Sequence, residues 1–161
     1  MVRIVCTRRA TRLSSPLAWR SDEHAAGFDL SEHQTIGQML ETARARLGRL
    51  DPDAAHGALL EGALLIDTRS QDLRRATGVI PGSVHVPLSV LYWRLDPSSE
   101  SRNPELSDLE RQVVLICAHG YSSSLAAATL QQLGFRKATD VAGGFEAWAS
   151  AGLPVEPLPP E

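Results

Sequence analysis

The fold of this chain is most constrained by one segment, Val113-Val114-Leu115-Ile116, which runs straight into Cys117. An unbroken apolar run rich in β-branched residues, with no polar alternation, predicts a strand buried on both faces, as in a parallel sheet. Ala118-His119-Gly120-Tyr121 follows as a short loop. Residues 123–133 then place Leu125, Ala128, Leu130 and Leu133 at helical spacing, and Gly134 closes the pattern. In folds built from such strand–loop–helix units, reactive groups sit at the carboxyl ends of strands, and Cys117 holds that position.

The rest of the chain repeats the theme. Residues 63–67 (ALLID) read as a second buried strand ended by a carboxylate. Val84-His85-Val86 is a short strand stopped by Pro87, after a turn at Val79-Ile80-Pro81-Gly82, and residues 139–141 suit a last strand. Helices are expected over 88–95, with Tyr92 and Trp93, and over 145–151. Ahead of these, Ile36, Met39, Leu40, Ala43, Leu47 and Leu50 recur every three or four residues, with Ser31 or Thr35 as cap. Asp51-Pro52 interrupts that pattern, and a shorter helix over 53–61 ends at Gly62. Residues 97–103 form an exposed loop, and the proline-rich stretch from Pro154 is extended. Strands alternating with helices predict an α/β fold, a central mainly parallel sheet flanked by helices.

Composition narrows the function. A chain of 161 residues with 43% hydrophobic and 22% charged residues is too apolar to be wholly disordered. Aromatics are only 5%, so the core must rest on Leu, Val, Ile and Ala. A net charge of −3 and a pI near 5.9 argue against a nucleic-acid binder. No apolar run approaches the roughly 20 residues of a membrane span. Arg3, Arg8, Arg9, Arg12 and Arg20 make the start basic, but no apolar stretch of about 7–15 residues follows as in a secretory signal. That start is read as a flexible arm, and a cytoplasmic location is expected. The two cysteines, Cys6 and Cys117, make neither a disulfide framework nor a metal cluster. His24, His33, His56 and His85 have no ligand-like spacing. No metal and no cofactor is expected, and Cys6 is read as an incidental thiol.

Cys117 is therefore the residue to explain. Gly120 supplies a backbone conformation most residues resist, and Ser122 or Ser123 is expected to cap the following helix. Free loop N–H groups and a helix N-terminus bring positive charge to the sulfur, which stabilises a thiolate and favours an anionic substrate. Nucleophilic attack by sulfur is the chemistry that suits such a site. The plainer alternative is a buried structural cysteine.

Cys117-Ala118-His119-Gly120-Tyr121-Ser122-Ser123 is similar to the active-site loop of the single-domain rhodaneses, the thiosulfate sulfurtransferases, whose small bacterial members use a Cys-x-His-Gly-x-Ser-Ser form. Leu65-Ile66-Asp67-Thr68-Arg69 resembles that family's first strand with its Asp-x-Arg ending. Gly78-Val79-Ile80-Pro81-Gly82-Ser83 resembles its Gly-His-Ile-Pro-Gly-Ala turn, with Val79 where the family usually has His. Gly143-Gly144-Phe145-Glu146-Ala147-Trp148, then Gly152-Leu153-Pro154, resembles its C-terminal signature.

The resemblance implies a rhodanese-like domain over 58–156, preceded by the basic arm (1–30) and a helical extension (31–57) and followed by a proline-rich tail (157–161). It also implies sulfur transfer through a Cys117 persulfide. A small anionic donor such as thiosulfate would supply the sulfur, and cyanide or a thiol would accept it. The loop from Ala118 to Ser123 would hold the persulfide. Many family members carry Arg or Lys in this loop. Here His119 is the loop's ionisable group besides Cys117 and the Tyr121 phenol, and it either faces the pocket or packs on the loop surface.

Asp67 and Arg69 either orient the loop or form a structural ion pair at the strand end. Arg74 and Arg75 either add positive potential at the mouth or are solvated, while Gly143, Gly144 and Trp148 are packing residues. Competing functions are a non-catalytic rhodanese-like module and a cysteine-dependent phosphatase or arsenate reductase. The latter chemistries use a Cys-x5-Arg loop that clamps an oxyanion, and this loop has no arginine.

Overall fold

The computed structural model describes residues 33–159, so the arm, with Cys6 and His24, lies outside the described residues. Four short strands, β1 (Leu64–Asp67), β2 (Val84–His85), β3 (Val113–Ile116) and β4 (Ala138–Asp140), form one sheet in the order β2-β1-β3-β4. Every pairing between them is parallel. Parallel strands need both faces covered, and this sheet is buried between two apolar clusters. Leu64, Ile66, Val113 and Leu115 face one cluster with Ala126, Ala127, Leu130 and Phe135. Leu65, Val114 and Ile116 face the other with Ala55, Phe145 and Trp148. The side-chain period of two thus explains why LLID and VVLI read as unbroken apolar runs.

Among the described residues six helices accompany the sheet: α1 (Ile36–Arg46), α2 (Pro52–Leu60), α3 (Gln71–Thr77), α4 (Leu91–Leu95), α5 (Ser122–Gln132) and α6 (Gly144–Ser150). Thr35 starts α1 with a capping box, its hydroxyl accepting from the Gln38 N–H while the Gln38 side chain accepts from the Thr35 N–H. Asp51 caps α2 ahead of Pro52 at its first position. Helix α1 packs against α5, and α2 against α6. The chain after α6 is tied back by a Val79–Glu156 antiparallel bridge. Among the described residues no helix is long and apolar enough to cross a membrane.

Several expectations need correction. Neither Ser122 nor Ser123 caps α5. Its cap position is Tyr121, without a side-chain cap hydrogen bond, because the serines lie inside the first turn with their hydroxyls turned to other partners. Helix α4 begins at Leu91 rather than residue 88, since the chain after Pro87 first makes a turn closed by the Val90 N–H on the Pro87 carbonyl. Helix α3 has no counterpart among the expected elements. Its buried residue is Arg74, so it shows no apolar stripe, although Ser70 caps it and Gly78 ends it.

The strand order reverses direction between β1 and β3. The carboxyl ends of those two strands lie side by side, with Asp67 paired in register to Ile116. Such a switch point leaves a crevice above the sheet. Asp67, Arg69 and Cys117 all emerge there.

Candidate active site

Cys117 is buried, 7% exposed, and carries a free thiol. Its sulfur takes a hydrogen bond from the Gly120 N–H at 3.2 Å and shares another with the Ser123 hydroxyl at 3.2 Å. Loop carbonyls that would repel a thiolate are bonded elsewhere. The Cys117 carbonyl accepts from the Phe145 N–H at 2.8 Å, and the Ala118 carbonyl from the Glu146 N–H at 3.1 Å. The first turn of α6 therefore holds the loop's oxygens, which leaves N–H groups for the sulfur.

This contact is why a glycine, Gly144, opens α6. A Cβ on Gly144 would sit 2.5 Å from the Cys117 carbonyl oxygen and 2.6 Å from the Gly120 nitrogen, and Gly144 has φ +63°. Gly120 faces the same constraint: φ is +73°, and a Cβ would lie 2.7 Å from the Gly143 nitrogen. The expected packing role is thus, for Gly144, a close approach of two backbones at the site and, for Gly143 with φ +74°, room for the Ala147 side chain, which a Cβ would meet at 2.6 Å.

Burial pushes the Cys117 thiol up. Hydrogen bonds from the Ser122 and Ser123 side chains, and from the Ser123 and His119 backbone, outweigh it and lower the thiol from 9.0 to about 7. The thiolate fraction consequently rises through neutral pH and is lost as pH falls below 7.

Behind Ser123 lies Asp140, fully buried at the end of β4. One of its oxygens accepts from the hydroxyls of Ser123 (3.1 Å) and Ser124 (2.8 Å). Arg49 grips both oxygens, at 2.8 and 3.1 Å. Arg49 also reaches the Gly120 carbonyl at 3.2 Å, which Arg44 approaches at 2.8 Å and the Ser124 hydroxyl at 3.1 Å. The Arg44 guanidinium lies 5.4 Å from the centre of the exposed Tyr121 ring. Arg44, Arg49, Ser124 and Asp140 are absent from the sequence-based site. The arginines lie outside the four motif segments, and the pairs they make are far apart along the chain. A charged residue at the end of a buried strand is the one hint Asp140 gave.

Asp67 and Arg69 form a buried pair, with Arg69 Nε 2.9 Å and Nη2 2.7 Å from the carboxylate. The remaining Arg69 donors go to Thr77 and the Gly78 carbonyl. The guanidinium lies 3.5 Å from the centre of the Phe145 ring, and the Arg69 carbonyl accepts or is approached by His85 Nε2 at 2.9 Å. Arg69 therefore meets the loop through Phe145. Arg74 is buried on Asp67 at 3.3 Å, which corrects the solvated or mouth-facing alternatives, while Arg75 stands exposed beside Asp72. His119 turns outward, its ring 62% exposed and 2.9 Å from Glu146. A cleft of about 410 Å³ beside the loop is lined by Ala118, His119, Phe145, Glu146, Leu73 and Ala149, among others. Among the described residues no group of His, Cys, Asp or Glu could hold a metal ion.

Known proteins are similar in sequence and fold. Residues 51–151 match the rhodanese-like domain family. The thiosulfate sulfurtransferase GlpE of Pseudomonas savastanoi is 36% identical over 100 residues, 62% of this chain and 85% of the relative. The polysulfide-sulfur transferase homodimer of Wolinella succinogenes has a solved structure with TM-score 0.59 and 30% identity, covering 73% of this chain and 83% of that one. A Rhodopseudomonas palustris protein of unknown function, described as a possible tyrosine phosphatase, superposes with TM-score 0.72 at 31% identity, covering 76% and 95% of the two chains. The sheet, the cysteine loop and these likenesses agree: the chain belongs to the single-domain rhodanese family of sulfurtransferases.

Proposed function

We propose that Cys117 is the nucleophile of a sulfur transfer that passes through a persulfide. In the first half-reaction the thiolate attacks the outer sulfur of a sulfane donor such as thiosulfate. A new S–S bond forms at Cys117, the donor's S–S bond breaks, and sulfite leaves with its electron pair. In the second, cyanide or a thiolate attacks the terminal sulfur and regenerates the Cys117 thiolate. The observation that carries this reading is the Gly120 N–H pointing at the sulfur while the neighbouring carbonyls are held away. The Gly120 amide so placed suits an anionic persulfide, and in this reading the other amides of the loop from Ala118 to Ser123 join it in holding that group.

Phosphoryl chemistry is disfavoured by the same loop. No arginine or lysine stands between Cys117 and Ser124, so nothing in it can clamp a phosphate bidentately. The absence of a loop cation also bears on the donor. Arg69 and Arg74 share the single carboxylate of Asp67, and the adjacent cleft is lined by Leu73, Phe145 and Ala149 together with Arg69, His119 and Glu146. The apolar part of this cleft also suits an organic donor such as 3-mercaptopyruvate, from which the Cys117 thiolate would take the sulfur as the C–S bond breaks and pyruvate leaves as its enolate with the electron pair. A free Cys117 thiol suits a reducing compartment, and the cytoplasm is the location we infer.

Initial rates test the scheme. Varying donor at several fixed cyanide concentrations should give parallel double-reciprocal lines, the mark of a covalent intermediate that outlives the first product. Thiosulfate and 3-mercaptopyruvate should each give that pattern if both are donors. Intersecting lines with every active donor would contradict it.

A further inference from the structure

We propose that Arg44 and Arg49, which precede the matched domain, together with Asp140, are positioning residues for sulfur transfer at Cys117. The proposal rests on the sulfur-transfer reading and extends it to a part of the chain outside the family match, which begins at residue 51.

Gly120 links the two arginines to the sulfur. Its N–H is a donor to the sulfur, and its φ of +73° is accessible because it has no Cβ. The same freedom lets the neighbouring peptide flip, which would turn a carbonyl toward the thiolate and replace attraction with repulsion. The Gly120 carbonyl is held against that flip by Arg44 and Arg49, at 2.8 and 3.2 Å, while the single Ser124 hydroxyl proton is shared between it (3.1 Å) and Asp140 (2.8 Å). Two guanidinium donors on one carbonyl are charge-assisted bonds, stronger than neutral ones.

The second link runs through Ser123. Its single hydroxyl proton lies within reach of both Asp140 and the Cys117 sulfur. Beside a thiol, the serine donates to Asp140 and accepts from S–H. Beside a thiolate or persulfide, the hydroxyl must turn and donate to sulfur. Arg49 balances the buried Asp140 carboxylate from the other side and leaves the Ser123 proton free to turn. Without Arg49 the carboxylate would keep that proton and add an unbalanced negative charge behind the site.

Charged and titratable groups around the loop are accounted for. Asp140 comes from β4, Arg44 from α1 and Arg49 from the segment after it. Glu146 from α6 is paired with His119, and Asp67 on β1 is paired with Arg69 and Arg74. Tyr121 lies under Arg44. Among the described residues, Arg44 and Arg49 are thus the cations hydrogen-bonded to the Gly120 carbonyl of the Cys117 loop.

The test is the pH dependence of Cys117 alkylation by iodoacetamide in the full chain, followed by peptide mapping so that Cys6 does not contribute. The native protein should show half-maximal rate near pH 7. Arg49→Gln should move that midpoint up by about one pH unit, and Arg44→Ala should move it in the same direction by less. Arg49→Lys, which keeps the charge without the bidentate grip, should fall between Arg49→Gln and native. Arg46→Ala removes an exposed cation from the same helix and should leave the midpoint in place. Midpoints unmoved in folded Arg44→Ala and Arg49→Gln would overturn the proposal, and if Arg49→Gln does not fold, an unmoved Arg44→Ala decides against it alone. Alkylation reads the thiolate whether or not it accepts sulfur, so this result is separable from failure of the sulfur-transfer reading.

Discussion

Cys117→Ser should lower sulfur-transfer turnover by at least about a thousandfold while leaving the fold intact, measured as thiocyanate formed from a sulfane donor and cyanide. The cause is electronic rather than steric. Serine differs by one atom, so the hydrogen bonds from Gly120 and Ser123 can persist around a smaller oxygen. However, a hydroxyl stays protonated at neutral pH, where the Cys117 thiol, lowered to about 7, is about half ionised, and it forms no stable bond to sulfane sulfur. Cys6→Ser is expected to leave turnover unchanged. Substantial activity in Cys117→Ser would move the chemistry to another residue.

The largest stability effect is expected from Asp67→Ala. Asp67 is fully buried, and two arginines converge on its carboxylate, their side chains only 2% and 9% exposed. Removing the carboxylate leaves two guanidinium groups in a desolvated site with partial compensation from Thr77, Gly78 and Gln71. Breaking a buried pair in this way costs about 3–5 kcal/mol, a large share of the roughly 5–15 kcal/mol of a typical domain. Denaturant unfolding should show the midpoint falling with little change in slope. Asp67→Asn should lose less, because it keeps an acceptor. A loss below about 1 kcal/mol would mean that Arg69 and Arg74 reach water when released.

What could be read from the sequence follows from the same physics. A strand buried on both faces reads as an apolar run, so β1 and β3, and the cysteine at the end of β3, were legible. The close backbone approach at Gly144 left a motif, although its reason needed the Cys117 carbonyl beside it. Helix α3 left no apolar periodicity because the side chain it buries is Arg74. The support behind Cys117 was hidden for a different reason. Arg44 and Arg49 act on Gly120 and Asp140 across more than seventy residues, and an arginine at a helix end looks the same whether it is solvated or clamps a carbonyl. Tyr121 takes the cap position of α5 because the serines after it bond to the sulfur, to Asp140 and to Gly120.

The account stands or falls on the covalent intermediate at Cys117, and the intact-protein mass reads it directly. Incubation with a sulfur donor, using thiosulfate and 3-mercaptopyruvate side by side, should add one sulfur, about 32 mass units, mapping to the Cys117 peptide. Cyanide should then restore the original mass and release thiocyanate. An unchanged mass with both donors, or a sulfur that maps elsewhere, would contradict it.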